Sequence, residues 1–173
     1  MQGKTQSKKT STTIPETQTE RKMTATFADF VSTVPNTKNQ MNLVLEYTQK
    51  LCEVLRTNYQ SHAIQRHRDS IEKNGIVDES YVPWHQEQID KLSMGEGVDD
   101  FTFDKGRKYY KVIRHSAGQQ HVHLFVDMQT GDCYKAASWK TPAKGIRYNL
   151  LDDSSREEMF KRADWAGGYL YAR

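Results

Sequence analysis

Apolar residues recur at helical spacing through the first half of the chain. Between residues 38 and 59 they fall three and four positions apart, on one helical stripe that contains Val44, Tyr47, Leu51, Val54 and Leu55. Ser61 is a suitable N-cap for a second helix over 62–73, and Asn74-Gly75 is a suitable stop. This half of the chain is therefore predicted to be helical. A short helix that ends at Pro35 precedes it.

The hydrophobic period changes to two in the second half, where short Gly-bearing turns separate the apolar runs. We predict three strands of an antiparallel meander, over Tyr109–Arg114, Gln120–Asp127 and Asp132–Ser138. Ser154 and Glu157 form a capping box that opens a helix to about Ala163. The predicted fold class is α+β, with an N-terminal helical layer packed on a small antiparallel β-meander and a C-terminal helix.

The polarity of the chain predicts its domain organisation. Residues 1–23 are rich in Thr, Ser, Gln and Lys, with few apolar side chains, and we predict a disordered basic tail. Residues 24–173 are predicted to form a single α+β domain. Its helical part would cover 24–75, an acidic linker or loop region 76–104, with a helix from Pro83 to Leu92, and the meander with its helix 105–173.

Charge is unevenly distributed, although the whole chain carries a formal net charge of only +3. Residues 74–104 contain eight acids and one base, whereas 105–149 contain nine bases and two acids. A basic face of this kind attracts polyanions, unless the acidic block lies against it and neutralises it. Sequence leaves both arrangements open.

Cations and aromatic residues are interleaved within the basic stretch, a pattern typical of proteins that bind single-stranded nucleic acid. Ammonium and guanidinium groups would contact phosphates, while the rings of Trp139 and Tyr148 would stack on bases. The predicted nucleic-acid-binding residues are Lys135, Trp139, Lys140, Lys144, Arg147 and Tyr148. No complete catalytic or cofactor motif is present, so the prediction leans away from an enzyme and includes no cofactor.

His121 and His123 stand two residues apart on a predicted strand. Alternation would point both imidazoles to one face, which Phe125 and Asp127 would continue. Two histidines at this spacing can chelate one divalent ion. A metal site at His121 and His123 is therefore a second hypothesis.

The His-Val-His run followed by an apolar strand resembles the metal motif of HUH-type rolling-circle replication nucleases, and Phe101–Phe103 resembles their first motif. The resemblance implies a nuclease that uses Mg²⁺ or Mn²⁺ and a tyrosine nucleophile, for which Tyr134 and Tyr148 are candidates. This enzyme reading is an alternative to nucleic-acid binding alone.

Two further segments resemble small uncharacterised proteins of phages and other viruses. One contains HLFVD at 123–127 and TGDCYKAASWKTPAKGIR at 130–147, and the other is RADWAGGYLY at 162–171. The resemblance implies a viral origin and thus an intracellular location, in the host cytoplasm or the virion. It implies no mechanism.

The remaining predictions concern compartment and partners. Cys52 and Cys133 are far apart and lack metal-ligand spacing, which predicts free thiols in a reducing compartment. No apolar run reaches the roughly 18 residues that a membrane helix needs, so no membrane partner is predicted. The acidic segment 74–104 favours a further alternative, a structural or host-inhibiting protein that binds a basic protein partner.

Overall fold

The computed structural model describes residues 37–74 and 79–171. The described residues all belong to one compact unit. The predicted basic tail and the short helix before Pro35 lie outside the described residues, so these two predictions stay predictions.

One long helix, α1 (Thr37–Asn74), replaces the two helices predicted for this region. No proline or glycine interrupts its 38 residues. Ser61 is exposed in the middle of the helix and does not cap a new one. Serine costs an exposed helix interior only a fraction of a kcal/mol relative to alanine, so one residue of this type does not break the helix.

The segment predicted as an acidic linker contains two regular elements. A short 3-10 turn, Glu79–Tyr81, leads into helix α2 (Val82–Ser93), which has proline in its first turn as expected. Strand β1 (Asp100–Lys105) follows. Its aromatic residues Phe101 and Phe103 alternate with exposed polar positions, so this period of two is the signal that the interpretation as a linker overlooked.

The sheet has five antiparallel strands in the order β1-β2-β3-β4-β5. After β1 come β2 (Tyr109–Ser116), β3 (Gln119–Asp127), β4 (Asp132–Lys135) and β5 (Tyr148–Asn149). The meander is thus confirmed, with β4 shorter than predicted. Ala117 and Gly118 join β2 to β3 with φ angles of 47° and 77°, the left-handed pair that a tight two-residue hairpin turn requires.

The core lies between α1 and one face of the sheet. The helix contributes Val44, Leu51 and Leu55, all fully buried, as its apolar stripe predicts. Alternate residues of the central strands meet them, among them Tyr110, Val112, Leu124 and Val126. The second half of α1 extends past the sheet to α2, where Gln60 Nε2 donates to Leu92 O at 2.6 Å.

Helix α3 (Asp153–Arg162) begins two residues earlier than the capping box predicts. Its N-cap is Asp152, whose Oδ1 accepts a hydrogen bond from Ser155 N at 2.6 Å. Ser154 therefore lies inside the first turn. A final 3-10 turn, Gly168–Tyr171, places Tyr169 and Leu170 in the core.

Helix, sheet and helix follow one another along the chain, which confirms the predicted α+β class. Cys52 and Cys133 are buried free thiols, and burial raises the pKa of Cys52 to about 12. No helix in the described ranges has the length and apolar character to cross a bilayer.

Candidate functional site

A groove of about 610 Å³ opens beside the β1–β2 hairpin. We call it the basic groove, because cations and aromatic rings form most of its wall. It is lined by Asp104, Lys105, Gly106, Arg107, Lys108, Tyr109, Lys111, Phe125, Trp139 and Lys140.

The basic groove lies on the face of the sheet that turns away from α1. Tyr109, Lys111 and Phe125 line it, and they alternate along β2 and β3 with the core residues Tyr110 and Leu124. One sheet therefore has two different faces, an apolar one for the core and a cationic, aromatic one for the groove.

Two loops complete the walls of the groove. The β1–β2 turn is closed by a hydrogen bond from Gly106 N to Tyr109 O at 2.9 Å, and it presents Arg107 and Lys108. The loop after β4 presents Trp139 and Lys140. A hydrogen bond of 2.7 Å between the hydroxyls of Ser138 and Thr141 closes that loop. Both loops are thus held by their own polar groups.

The aromatic residues of the groove differ in accessibility. Phe125 is buried and packs edge-on against Tyr109, with ring centroids 6.1 Å apart. Trp139 is 42% exposed. The Lys111 ammonium lies 4.6 Å from the centre of the indole, a cation–π contact that orients the ring. Trp139 is therefore the ring most available to a ligand.

Only part of the groove's positive charge is neutralised internally. Lys108 Nζ lies 3.3 Å from Asp127, and Lys111 Nζ lies 3.3 Å from Asp104. Hydrogen bonds to Tyr109 and Asp127 raise the pKa of Lys108, so this ammonium stays charged. The remaining cations, Lys105, Arg107 and Lys140, form no ion pair with a carboxylate of the described residues.

The acidic segment pairs with the basic one at two points within the described ranges. Asp104 holds Lys111, and Asp99 accepts from the Arg114 guanidinium at 2.6 Å. That guanidinium also lies 4.5 Å from the Trp165 ring centre and 5.5 Å from that of Tyr59. Arg114, which lies outside the groove, is thus fixed by the fold, whereas the acidic segment leaves Lys105, Arg107 and Lys140 uncovered.

Of the six predicted nucleic-acid-binding residues, two line the basic groove, namely Trp139 and Lys140. Lys135 lies in another pocket, where its ammonium is 3.7 Å from the Tyr171 ring centre. Lys144 is exposed on the loop but does not line the groove. Arg147 lines a different depression, beside the start of α3.

Tyr148 does not provide a stacking surface. Strand β5 turns its ring into the core, where it is 7% exposed, and its hydroxyl donates to Tyr169 O at 3.3 Å. The sequence predicts an aromatic residue beside the cations, but the face that β5 presents depends on its pairing with β4. A stacking role for Tyr148 would require the core to open.

His121 and His123 line a pocket of about 170 Å³. A bulge leaves His123 without a partner on β2, which interrupts the alternation. His123 packs on Phe101 and Tyr169. Phe125 instead faces the basic groove. The prediction that Phe125 continues the face of the two histidines is therefore wrong. Desolvation lowers the pKa of His123 to about 4, and its Nε2 lies 3.1 Å from the Tyr169 hydroxyl.

Those two histidines find no third metal ligand. Across residues 37–74 and 79–171, no group of three or more His, Cys, Asp or Glu side chains is placed to hold an ion. The two tyrosines predicted as nucleophile candidates do not lie on a helix as the resemblance implies. Tyr134 lies on β4, and Tyr148 lies on β5 and is buried.

The sequence carries a signal for the groove residues that the prediction left out. Three cations surround Gly106 within four positions, namely Lys105, Arg107 and Lys108. Core packing does not require long cationic side chains in a turn, so such a cluster indicates a binding surface. The hairpin loop and the Trp139 loop are more than 30 positions apart, so their proximity depends on the strand register.

Comparison with known proteins gives a family and no activity. The model of a family of unknown function (DUF7717) matches residues 27–172. The search of curated proteins and the search of solved structures each found no match.

Proposed function

We propose that this chain, which belongs to a family of unknown function (DUF7717), binds single-stranded nucleic acid with low sequence preference through the basic groove. One observation carries the proposal. Three cations without carboxylate partners in the described chain, Lys105, Arg107 and Lys140, surround an exposed tryptophan in an open groove. Cations beside an accessible ring are the elements that non-specific single-strand binders combine.

Each group has a separate role in the proposed complex. Arg107 and Lys105, on the hairpin, contact phosphates from one side of the groove, and Lys140 contacts them from the other. Trp139 stacks on one base, since every base offers a π face whatever its sequence. No base-edge readout is needed, so the affinity depends on charge and stacking.

The first experiment is fluorescence anisotropy with labelled single-stranded DNA and RNA over a series of salt concentrations. The test variant combines Arg107→Ala with Lys140→Ala. The control combines Arg68→Ala with Lys161→Ala, which removes the same charge from exposed helical positions outside the groove. Each lost phosphate contact lowers the slope of log K against log salt by about 0.7 for single strands, so the test variant should lose about 1.4.

The two double variants separate a site from a general attraction. Weakened binding with a flatter salt slope in the test variant alone supports the proposal. Equal losses in both variants would mean that net charge, and not the groove, attracts the polyanion. Unchanged affinity in the test variant, or no binding by the wild type at low salt, would contradict the proposal.

A second candidate function is binding to a protein partner. It rests on three large exposed apolar residues within the acidic segment, Tyr81 at 56%, Trp84 at 55% and Met94 at 80%. Tyrosine, tryptophan and methionine are residue types enriched at protein interfaces. Mutation of Trp84 to alanine would weaken such a complex and leave oligonucleotide binding unchanged.

The nuclease alternative has the least support, because His121 and His123 lack a third ligand in the described chain. A gel of the oligonucleotide samples with and without Mg²⁺ tests it directly. Cleavage that needs Mg²⁺ and disappears in His123→Ala would restore it. The viral origin and the host location remain predictions from the sequence resemblance.

A further inference from the structure

A second groove, of about 540 Å³, lies between α1 and α2. His67, near the end of α1, and His85, in the first turn of α2, meet there with their Nδ1 atoms 2.8 Å apart. Eighteen positions separate these histidines along the chain, so no sequence motif marks the pair. Trp84 packs against both imidazoles.

We propose that His67 and His85 bind a divalent transition-metal ion of the Zn²⁺, Ni²⁺ and Cu²⁺ class through their Nδ1 atoms. The class follows from the ligands, since neutral imidazoles suit these ions and suit Mg²⁺ or Ca²⁺ poorly. The ion would join α1 to α2 at a point remote in sequence from the basic groove.

The geometry of the pair is close to that of a chelate. A hydrogen bond between two Nδ1 atoms requires one ring to carry its proton there, while the other ring offers a lone pair. When both rings carry their proton on Nε2, two lone pairs converge on one point. Metal–nitrogen distances of about 2.0–2.1 Å in a tetrahedral site separate two ligand atoms by about 3.3 Å. The observed 2.8 Å needs a widening of only about 0.5 Å, which small side-chain rotations supply.

The surroundings decide what kind of metal site this is. No third His, Cys, Asp or Glu joins the pair within the described ranges, so water would complete the coordination shell. Arg66, Lys91 and Glu96 also line the groove, and Lys91 is held by Glu87 at 2.7 Å. With two cations and one acid nearby, electrostatic attraction for an ion is weak. The site would therefore be exchangeable and would select ions by their affinity for imidazole.

Trp84 supplies a built-in reporter. Its ring centre lies 4.8 Å from that of His85 and 5.6 Å from that of His67. Paramagnetic Cu²⁺ bound between the histidines would quench the fluorescence of Trp84. Zn²⁺ would not quench it, but its binding would still release heat. Two ions therefore give two independent measurements of one site.

The experiment uses the full chain without a polyhistidine tag. Zn²⁺ is titrated by calorimetry and Cu²⁺ by tryptophan fluorescence, for the wild type and for His67→Gln, His85→Gln and His62→Gln. His62 is a matched control, because it is also on α1 but packs against Trp165. Circular dichroism of each variant checks that the helices persist.

The expected result is one saturable ion per chain, lost in His67→Gln and in His85→Gln and retained in His62→Gln. Failure of the wild type to bind Zn²⁺ or Cu²⁺ would overturn the proposal. His121→Gln is titrated in the same way. Loss of the ion in His121→Gln, with binding retained in His67→Gln and His85→Gln, would also overturn the proposal by moving the metal to β3. Oligonucleotide binding plays no part in these measurements, so their outcome is independent of the proposed function.

Discussion

At the residue scale, Trp139 is the side chain on which the proposed stacking depends. Its ring is half-exposed and oriented by Lys111 instead of being packed into the core. The neighbouring Phe125 and Tyr109 support the groove floor but offer less free surface. The indole can therefore be removed without creating a cavity, which makes its contribution to binding separable from its contribution to folding.

We predict that Trp139→Ala weakens binding of single-stranded oligonucleotides by about 1–3 kcal/mol, or roughly 5- to 150-fold in Kd. The salt slope should stay unchanged, because stacking releases no counterions. Anisotropy at several salt concentrations measures both quantities. Trp84→Ala is the control, since it removes another exposed tryptophan, one that lies outside the groove. A Trp139 variant with wild-type affinity would eliminate stacking from the proposal.

How well the position of a single residue can be predicted from sequence depends on whether its contacts are local or set by the tertiary fold. Trp139 and Lys140 both line the basic groove, because adjacent positions on one tight loop stay together whatever the fold. Tyr148 was misplaced, because burial of a ring next to a strand depends on the face that pairing selects. His67 and His85 could not be paired at all, since their contact exists only after α2 packs on α1.

At the element scale, hydrophobic patterns that extend over many residues predict helices and strands well, and patterns of only a few residues predict them poorly. The stripe of α1 and the alternation of β2 and β3 extend over enough positions to determine their type. β1 has only six residues within an acidic segment, and its charge concealed its alternation. The same limit applies to caps, where Asp152 and Ser154 are both acceptable by residue type and backbone geometry selects the former.

Helix α3 therefore offers a direct test of cap assignment. We predict that Asp152→Ala lowers the free energy of unfolding by about 1 kcal/mol, because Ser155 N loses its acceptor. Ser154→Ala, two positions further on, should change it by less than about 0.5 kcal/mol, as an exposed first-turn substitution. Urea unfolding followed by circular dichroism measures both. The reverse order would restore Ser154 as the cap.

At the scale of the whole molecule, one sheet supports two unlike surfaces. The face towards α1 holds the apolar core, and the opposite face holds the basic groove. His123 belongs to the first environment, in contact with Phe101 and Tyr169. A charge on that ring is unfavourable, so the stability of the fold should depend on pH through this side chain.

We predict that acid destabilises the fold between about pH 6.5 and 4. The pKa of His123 is about 4 in the folded chain and 6.5 as the ordinary value. Between these values the unfolded chain binds the proton and the folded chain does not, so stability falls as the pH falls. At about 1.4 kcal/mol per pH unit, the loss reaches roughly 3 kcal/mol.

Urea unfolding at a series of pH values measures this dependence. The curve for His123→Gln should be flatter than that of the wild type across the same interval. His121→Gln is the control, because His121 is exposed on the same strand. If the His123→Gln and wild-type curves stay parallel, another group is responsible for the acid sensitivity.

The order of the strands also has a consequence for biosynthesis. Each strand pairs with the one translated just before it, so the hairpins can form while the chain is still leaving the ribosome. The hydrophobic core is still incomplete at that stage, because Tyr169 and Leu170, which are part of it, are synthesised after all the strands. Until they are synthesised, the nascent meander displays an apolar face to water and to chaperones. A ribosome that stalls before Tyr169 would therefore hold a sheet whose strands are paired but whose apolar face is not fully covered. Chaperones and proteases would recognise such a chain.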